Sequence, residues 1–356
     1  MTSPRVSAVV VNHRSAAEAA DCVHSLREAF ARERIEGEIV LVDSGSGPEE
    51  QSALEALPAD VRVFLEENRG YSGGVNAGIA RSRAPRLFLC NADVVFQAEA
   101  VSRLIRAIEE PSVGAAAPLC FWDAAGLLRL PPEASVGFWD ELAERHAGRF
   151  PSLDARRFAA FARRSLDLWE RGGDALHLAG AVLAVRREVL ERVGVFDERF
   201  LFEYEETEWE DRVRAAGLRL RFASEARVRH LFARSSSRNP DTERRRTESR
   251  RLYRVRRYGR LGRALLERPT RASAGGRDAA ARVRRLGEPA IAARAGAWVA
   301  VSTNPSLIPF AGGPLGGDGD FRLPAEVLAS LRPGPVYLRA FARDGRTLDT
   351  GVWEKP

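Results

Sequence analysis

Lysine is nearly absent from this chain: Lys355 is the only one among 55 basic residues in 356, so almost all positive charge is arginine. Cysteine is scarce as well. Cys22, Cys90 and Cys120 are odd in number, widely spaced and set in apolar surroundings, which excludes a disulfide scaffold and a cysteine-built metal site and fits reduced core thiols in a cytosolic protein. No stretch reaches 18 apolar residues, and the N-terminus passes almost directly into Val6–Val11 without the basic region, long apolar run and small-residue cleavage site of a signal peptide. Neither a membrane-spanning helix nor signal-directed secretion is expected, and the expected location is the cytoplasm. There is no internal repeat. What is present is enough hydrophobic sequence, 45% of the chain, to bury a core in more than one domain and to exclude a disordered chain.

The charge is unevenly placed. The formal net charge is +6, yet Arg227–Arg263 alone holds 14 Arg against Asp241, Glu243 and Glu248, a local +11 that leaves −5 for the rest. Read globally, the charge suggests nucleic-acid binding, but no aromatic-interleaved platform or known motif accompanies it, and no nucleic-acid partner is expected. Tyr253 and Tyr258 among Arg250–Arg263 suit an amphipathic helix resting on anionic lipid, a peripheral contact through 238–268 at the inner face of a membrane. The same arginines equally suit pairing with the acidic body or a second subunit, or a solvated helix.

The first half alternates apolar runs with helical patterns, the signature of β-α-β units and a largely parallel sheet with helices on both faces. Strands are expected at Val6–Val11, Glu38–Val42, Val61–Leu65 and Arg86–Leu89, with helices at about 16–31, 49–57 and 74–82. Residues 121–176, with Trp122, Trp139 and Trp169, read as a variable region beside the sheet. The regular pattern returns with a strand at Gly180–Val185, a helix at Thr207–Ala216, a strand at Leu218–Phe222 and a segment Val228–Ser237. The α/β domain is thus expected over 1–237, an Arg-rich helix over 238–268, a linker over 269–287 and a small β-rich domain over 288–356.

In an open α/β sheet, ligands bind past the carboxyl ends of the strands, so the polar residues there are the first candidates. Asp43, ending IVLVD, can accept hydrogen bonds from a base or ribose, or merely shape a turn. In ENRGYSGGVNAG, the glycines from Gly70 onward permit close backbone approach, and Asn68 and Asn76 supply directed amides at a strand-to-helix passage that favours phosphate; an ordinary helix entry is the alternative. Asn91 and Asp93 alternate on a strand end, so both can offer oxygen to a hard divalent cation, although one Asp holds no metal alone. Glu205, Glu206 and Glu208 crowd a helix start. There, mutual repulsion and burial could raise a carboxyl to the range of a general base, or the run could be a solvated acidic face. His230 follows an apolar run, as a metal ligand or a structural residue.

Taken together, VVVNHR, IVLVDSGS, ENRGYSGGVNAG, LFLCNADV, LAGAVLAVRREVLERVGVFDERF, EYEETEWEDRVRAAG and VRHLFARSSS, in this order over residues 5–260, resemble the family 2 glycosyltransferases, within them the rhamnosyltransferase-like group. The resemblance implies a GT-A nucleotide-diphospho-sugar transferase fold, a divalent cation (Mg²⁺ or Mn²⁺) and an inverting displacement in glycan or cell-surface polysaccharide synthesis. It implies as partners a nucleotide-sugar donor, dTDP-rhamnose-like or a UDP-sugar, and a hydroxyl acceptor on a glycan or lipid-linked glycan. It places Asn12 and Asp43 on the nucleoside, with Asn68, Gly70 and Asn76 in the donor loop. Asn91-Ala92-Asp93 falls at the metal-binding DxD element, with Asn91 in place of the first Asp. Asp93 and His230 are then metal ligands, and Glu205-Glu206 the catalytic acidic pair with Glu206, where the family usually has Asp, as base. A protein of the same fold that binds nucleotide sugar without turnover is the alternative these departures allow.

Overall fold

The computed structural model describes residues 4–132, 137–146, 149–231, 242–268, 283–317 and 319–356. The expected linker thus lies largely outside the described residues, as do 238–241 of the Arg-rich segment and the end of the VRHLFARSSS motif. In chain order the elements begin β1 (Val6–Asn12), α1 (Ala16–Glu33), β2 (Gly37–Ser44), α2 (Pro48–Glu55), β3 (Val61–Leu65), α3 (Gly70–Arg81), β4 (Arg86–Asn91), β5 (Val94–Phe96), α4 (Ala100–Glu109) and β6 (Val113–Phe121). They continue α5 (Phe138–Glu144), α6 (Pro151–Arg171), β7 (Gly173–Ala175), β8 (Val182–Arg186), α7 (Arg187–Val193), α8 (Glu205–Ala215), β9 (Arg219–His230) and α9 (Thr242–Glu267). The last are β10 (Arg284–Arg285), β11 (Ala290–Ala293), β12 (Trp298–Ser302), β13 (Ala311–Pro314), β14 (Gly319–Arg322), α10 (Ala325–Ser330), β15 (Gly334–Phe341) and β16 (Thr347–Lys355).

Two compact units divide the chain. The first, 1–120 with 172–257, is built on a nine-stranded sheet in the order β3-β2-β1-β4-β8-β6-β9-β5, with β7 on β9. β3, β2, β1 and β4 run parallel; β8, β5 and β7 join by antiparallel pairing. Every residue of β1 is buried, as expected of a central strand covered on both faces, and this is why VSAVVV reads as a continuous apolar run. The chain passes from β1 outward to β2 and β3 and then crosses back to β4 on the other side of β1, and the resulting crevice lies past the carboxyl ends of β1, β2 and β4. Register aligns those ends: Asn12 pairs with Asp43 and Val11 with Asn91.

α3 lies flat on β1 because two glycines one turn apart face it. A Cβ on Gly74 would stand 2.6 Å from Val11 Cγ1, and one on Gly78 would overlap Val9 Cγ1. β9 runs unbroken where two segments were expected. Its even-numbered residues from Leu220 to His230 are buried, and the small Ser224 and Ala226 keep the inward face continuous through a stretch that resembles a turn.

The second unit comprises 121–171 and 258–356. Residues 121–176 were expected as a variable region; up to Arg171 they share a unit with the C-terminal segment. The physical reason is an aromatic core drawn from both segments. Phe158 packs on Phe310 and Phe341, and Trp169 stacks on Trp298 with centroids 6.1 Å apart. β10-β16-β15-β12-β13 forms its five-stranded sheet, and β11-β14 a separate pair. Within α9, Gly259 takes a left-handed, non-helical conformation (φ 70°, ψ 178°) just past the boundary between the units.

Candidate active site

Every candidate residue lies in the first unit. At the ends of β1 and β2, Asn12 and Asp43 are fully buried and joined, Asn12 Nδ2 donating to Asp43 Oδ1 at 2.9 Å. The Ser46 amide donates to Asp43 Oδ2 at 3.0 Å and Ser15 Oγ donates to Asn12 Oδ1 at 2.8 Å. Both side chains therefore sit in a preset frame at the sheet mouth.

His13, one of the polar residues just past the end of the first strand, extends this frame. Its Nδ1 lies 2.8 Å from the Ser44 carbonyl, which can only accept, so Nδ1 carries the proton. Nε2 then accepts from Asn68 Nδ2 at 3.0 Å. Burial lowers the His13 pKa and keeps the ring neutral. Asn68 Oδ1 takes the Gly70 amide at 2.8 Å and Arg245 of α9 at 3.3 Å. Gly70 itself is left-handed (φ 71°), and a Cβ there would come 2.6 Å from the Leu201 carbonyl oxygen, so its service is to let the loop before α3 touch the segment leading to α8. Asn76 is spent on the same junction: its amide donates to the Phe196 carbonyl and to Glu198 and accepts the Phe196 N–H. The structure gives Asn76 a bracing position.

On the other side of β1, the Asn91 amide of β4 donates to the Ala181 carbonyl at 3.0 Å. Asp93 is 4% exposed, and its Oδ1 lies 3.2 Å from Nε2 of His230 at the end of β9. Pairing of β5 with β9, Val94 opposite His230, brings together two residues 137 positions apart. Carboxylate oxygen and imidazole nitrogen are a donor set suited to a divalent cation whose other ligands come from a diphosphate. Among the described residues, no cluster of three or more such side chains occurs.

The acidic helix start divides into two populations. Glu208 and Asp211 face arginines: Glu208 meets Arg212 and Arg256, and Asp211 meets Arg257 at 3.3 Å and the Tyr253 hydroxyl at 3.0 Å. Glu205 and Glu206 meet none, and one oxygen of each is buried without a hydrogen-bond partner among the described residues. Burial, then the neighbouring Glu206, holds Glu205 well above the usual carboxylate range, while burial pushes Glu206 up to about 7. A pair so placed keeps a proton on Glu205 and leaves Glu206 able to accept one near neutrality.

The chain entering α8 is strained. Glu203 (φ 60°) and Tyr204 (φ 68°) are consecutive non-glycine residues in the left-handed region, each costing roughly 1–3 kcal/mol. The first half of α9 holds them there. Arg246 pairs with Glu203 at 2.9 Å and lies over the Phe202 ring, Ser249 Oγ accepts the Leu201 and Phe202 amides, and Tyr253 packs on Tyr204. Much of the basic segment is therefore spent on the acids of its own unit. Tyr71 feels both acidic groups: its buried hydroxyl has no hydrogen-bond partner among the described residues, and burial, then Cys90, Glu206, Glu205 and Asp93, all raise its pKa.

The model of the family described as "Glycosyl transferase family 2" matches residues 7–194, more than half of the chain. The chain belongs to this family. Its fold is accordingly the α/β GT-A type with a β-rich C-terminal part. Solved structures similar to this family 2 member include the mannosyltransferase PcManGT from Pyrobaculum calidifontis in complex with GDP-Man and Mn²⁺, at 16% identity over 79% of this chain and 76% of that one, TM-score 0.45. Another is GalNAc-T7 with UDP, GalNAc and Mn²⁺, at 14% identity over 99% and 72%, TM-score 0.48. No curated protein matches this sequence significantly. Among the described residues, no helix of this transferase is long and apolar enough to cross a membrane.

Proposed function

We propose that this family 2 member is an inverting glycosyltransferase that moves a sugar from a nucleotide diphosphate, dTDP-rhamnose-like or a UDP-sugar, to a hydroxyl of a growing glycan. The observation that carries the reading is the uncompensated pair Glu205-Glu206. Among the described residues, Glu208 and Asp211 of α8 meet arginines and Glu210 meets His177 and the Leu178 amide, while Glu205 and Glu206 each keep a buried oxygen without a partner. Inversion requires one carboxylate to take the acceptor proton as its oxygen attacks the anomeric carbon from the face opposite the diphosphate. Glu206 is the base in this reading, its basicity raised by burial, and Glu205, kept protonated, does not compete for the proton.

Asp43 and Asn12 present a fixed carboxylate–amide edge to the nucleoside, and neutral His13 with Asn68 lines the loop beside it. Asp93 and His230 would hold the divalent cation, whose contribution when bound is to offset charge on the leaving diphosphate. Asn91, bound through its backbone to Ala181, sets the end of β4 next to them.

The test is release of nucleoside diphosphate from a panel of UDP-, GDP- and dTDP-sugars with Mn²⁺ or Mg²⁺, for wild type and Glu206→Gln. We expect metal-dependent turnover by the wild type, with binding retained and turnover lost in the variant. Unchanged transfer by Glu206→Gln would remove the base assignment, and binding without turnover in the wild type would favour a binding protein.

A further inference from the structure

Glu210 is the most deeply placed acid of α8, fully buried, and among the described residues no arginine pairs with it. Its Oε1 and Oε2 both lie 3.2 Å from the Leu178 backbone N–H, and Oε2 lies 3.2 Å from His177 Nδ1. Other groups near the pair are Glu206, Asp211 and Arg214; the last two approach His177 Nε2 at 3.9 and 3.5 Å, respectively. An acid buried with only a histidine and an amide adds little stability, since a well-packed apolar side chain in such a place is commonly neutral or better.

What it holds explains its position. Glu210 is four residues after Glu206, hence on the same face one turn along. Two residues beyond Leu178, the Gly180 backbone packs on the Glu206 carboxyl so closely that a Cβ there would stand 2.8 Å from Oε1. One residue further, the Ala181 carbonyl takes the Asn91 N–H, and Val182 begins β8 opposite Cys90 of β4. Residues 177–181 thus run as a strut from the acidic face of α8 to the end of the strand carrying Asn91.

We infer that Glu210, braced by His177, is a positioning residue: it fixes the 177–181 strut and so sets the reach from Glu206 to the donor side of the crevice. The inference rests on the transfer reading only for its catalytic consequence; the strut itself is independent of any substrate. Small displacements of a base cost rate steeply, about 100-fold for an ångström, while donor binding, made by other residues, is left intact.

Two substitutions separate geometry from charge. Glu210→Gln keeps an oxygen for the Leu178 amide, and Glu210→Ala does not. In amide hydrogen exchange, which needs no substrate, Glu210→Ala is expected to speed exchange in peptides spanning 177–181 and 89–93, and Glu210→Gln to leave both near wild type. With a donor that turns over, Glu210→Ala is expected to lower kcat about 100-fold with the dissociation constant for the nucleoside diphosphate and Mn²⁺ unchanged, and Glu210→Gln to restore most of kcat. Unchanged exchange in Glu210→Ala, equal loss of kcat in both variants, or donor affinity falling in step with kcat would each overturn the inference. A wild type that turns over no nucleotide sugar removes the transfer reading, and the exchange result still decides the strut.

Discussion

Gly180 sits against Glu206 with no room for a side chain, a Cβ at that position falling 2.8 Å from the carboxylate oxygen Oε1 and 3.0 Å from Cδ. Gly180→Ala should therefore displace the Glu206 carboxyl while leaving the nucleoside frame of Asn12 and Asp43 untouched. The expected outcome is a kcat loss of about tenfold or more with donor affinity within about twofold of wild type, read by steady-state kinetics beside calorimetric donor titration. Equal losses in both quantities would mean that the substitution disturbs the donor site.

The acidic pair makes rate and stability respond to pH in opposite directions. Glu206 must be unprotonated to act, and burial places its pKa at about 7, so turnover should rise with pH through about 7 and then level off. For stability, a carboxyl whose folded pKa is raised favours the folded state below its unfolded value of 4.5 and loses that contribution as pH rises through the folded value. Glu205→Gln, which removes the acid most strongly raised, should increase the melting temperature at pH 8 by a few degrees, about 3 °C, and change it little at pH 4. A scan showing equal gain at both values would contradict this.

Asp93 and His230 approach to 3.2 Å at the mouth of the crevice. If they hold the cation, Asp93→Ala and His230→Ala should each weaken Mn²⁺-dependent binding of a nucleoside diphosphate about 10- to 100-fold, in line with the loss of a metal ligand or its support. Binding measured without metal should hardly change. Undiminished metal dependence in Asp93→Ala would exclude it as a ligand.

Gly78 carries α3 onto β1, and Gly78→Val would force the helix off Val9. Urea unfolding should register a loss of about 1–3 kcal/mol, the usual cost of overpacking, while Gly316→Ala, where no atom lies within 4 Å and φ is not positive, should cost less. Similar values for both would mean that α3 can slide.

The legible parts of the fold were those whose neighbours in space are also neighbours in pattern. β1, β2 and β4 announce themselves because central strands are apolar on both faces, and Asp43 and Asn91 because they terminate such runs. β6 was not legible: Gly114, Ala115, Ala116, Ala117 and Pro118 carry no β-branched or aromatic signal, although the strand is buried throughout. Glu210 reads as one more charge in a solvated acidic run because its burial depends on His177 and Leu178, more than 30 residues away. Arg245 reaches Asn68 across 177 positions, a distance no local pattern encodes. The grouping of residues 121–171 with 258–356 was not legible for the same reason, since their aromatic partners lie at 298–341.

The backbone at Glu203–Tyr204 is held in an unfavourable conformation partly by the arginines of α9, and the pair nearest it, Arg246 with Glu203, is open to solvent, with side chains 31% and 45% exposed. Ion pairs exposed in that way weaken as salt is added, whereas apolar packing does not. The order of the chain entering α8 is thereby tied to the composition of the surrounding medium, and a rise in salt should relax this corner of the molecule long before it touches the core.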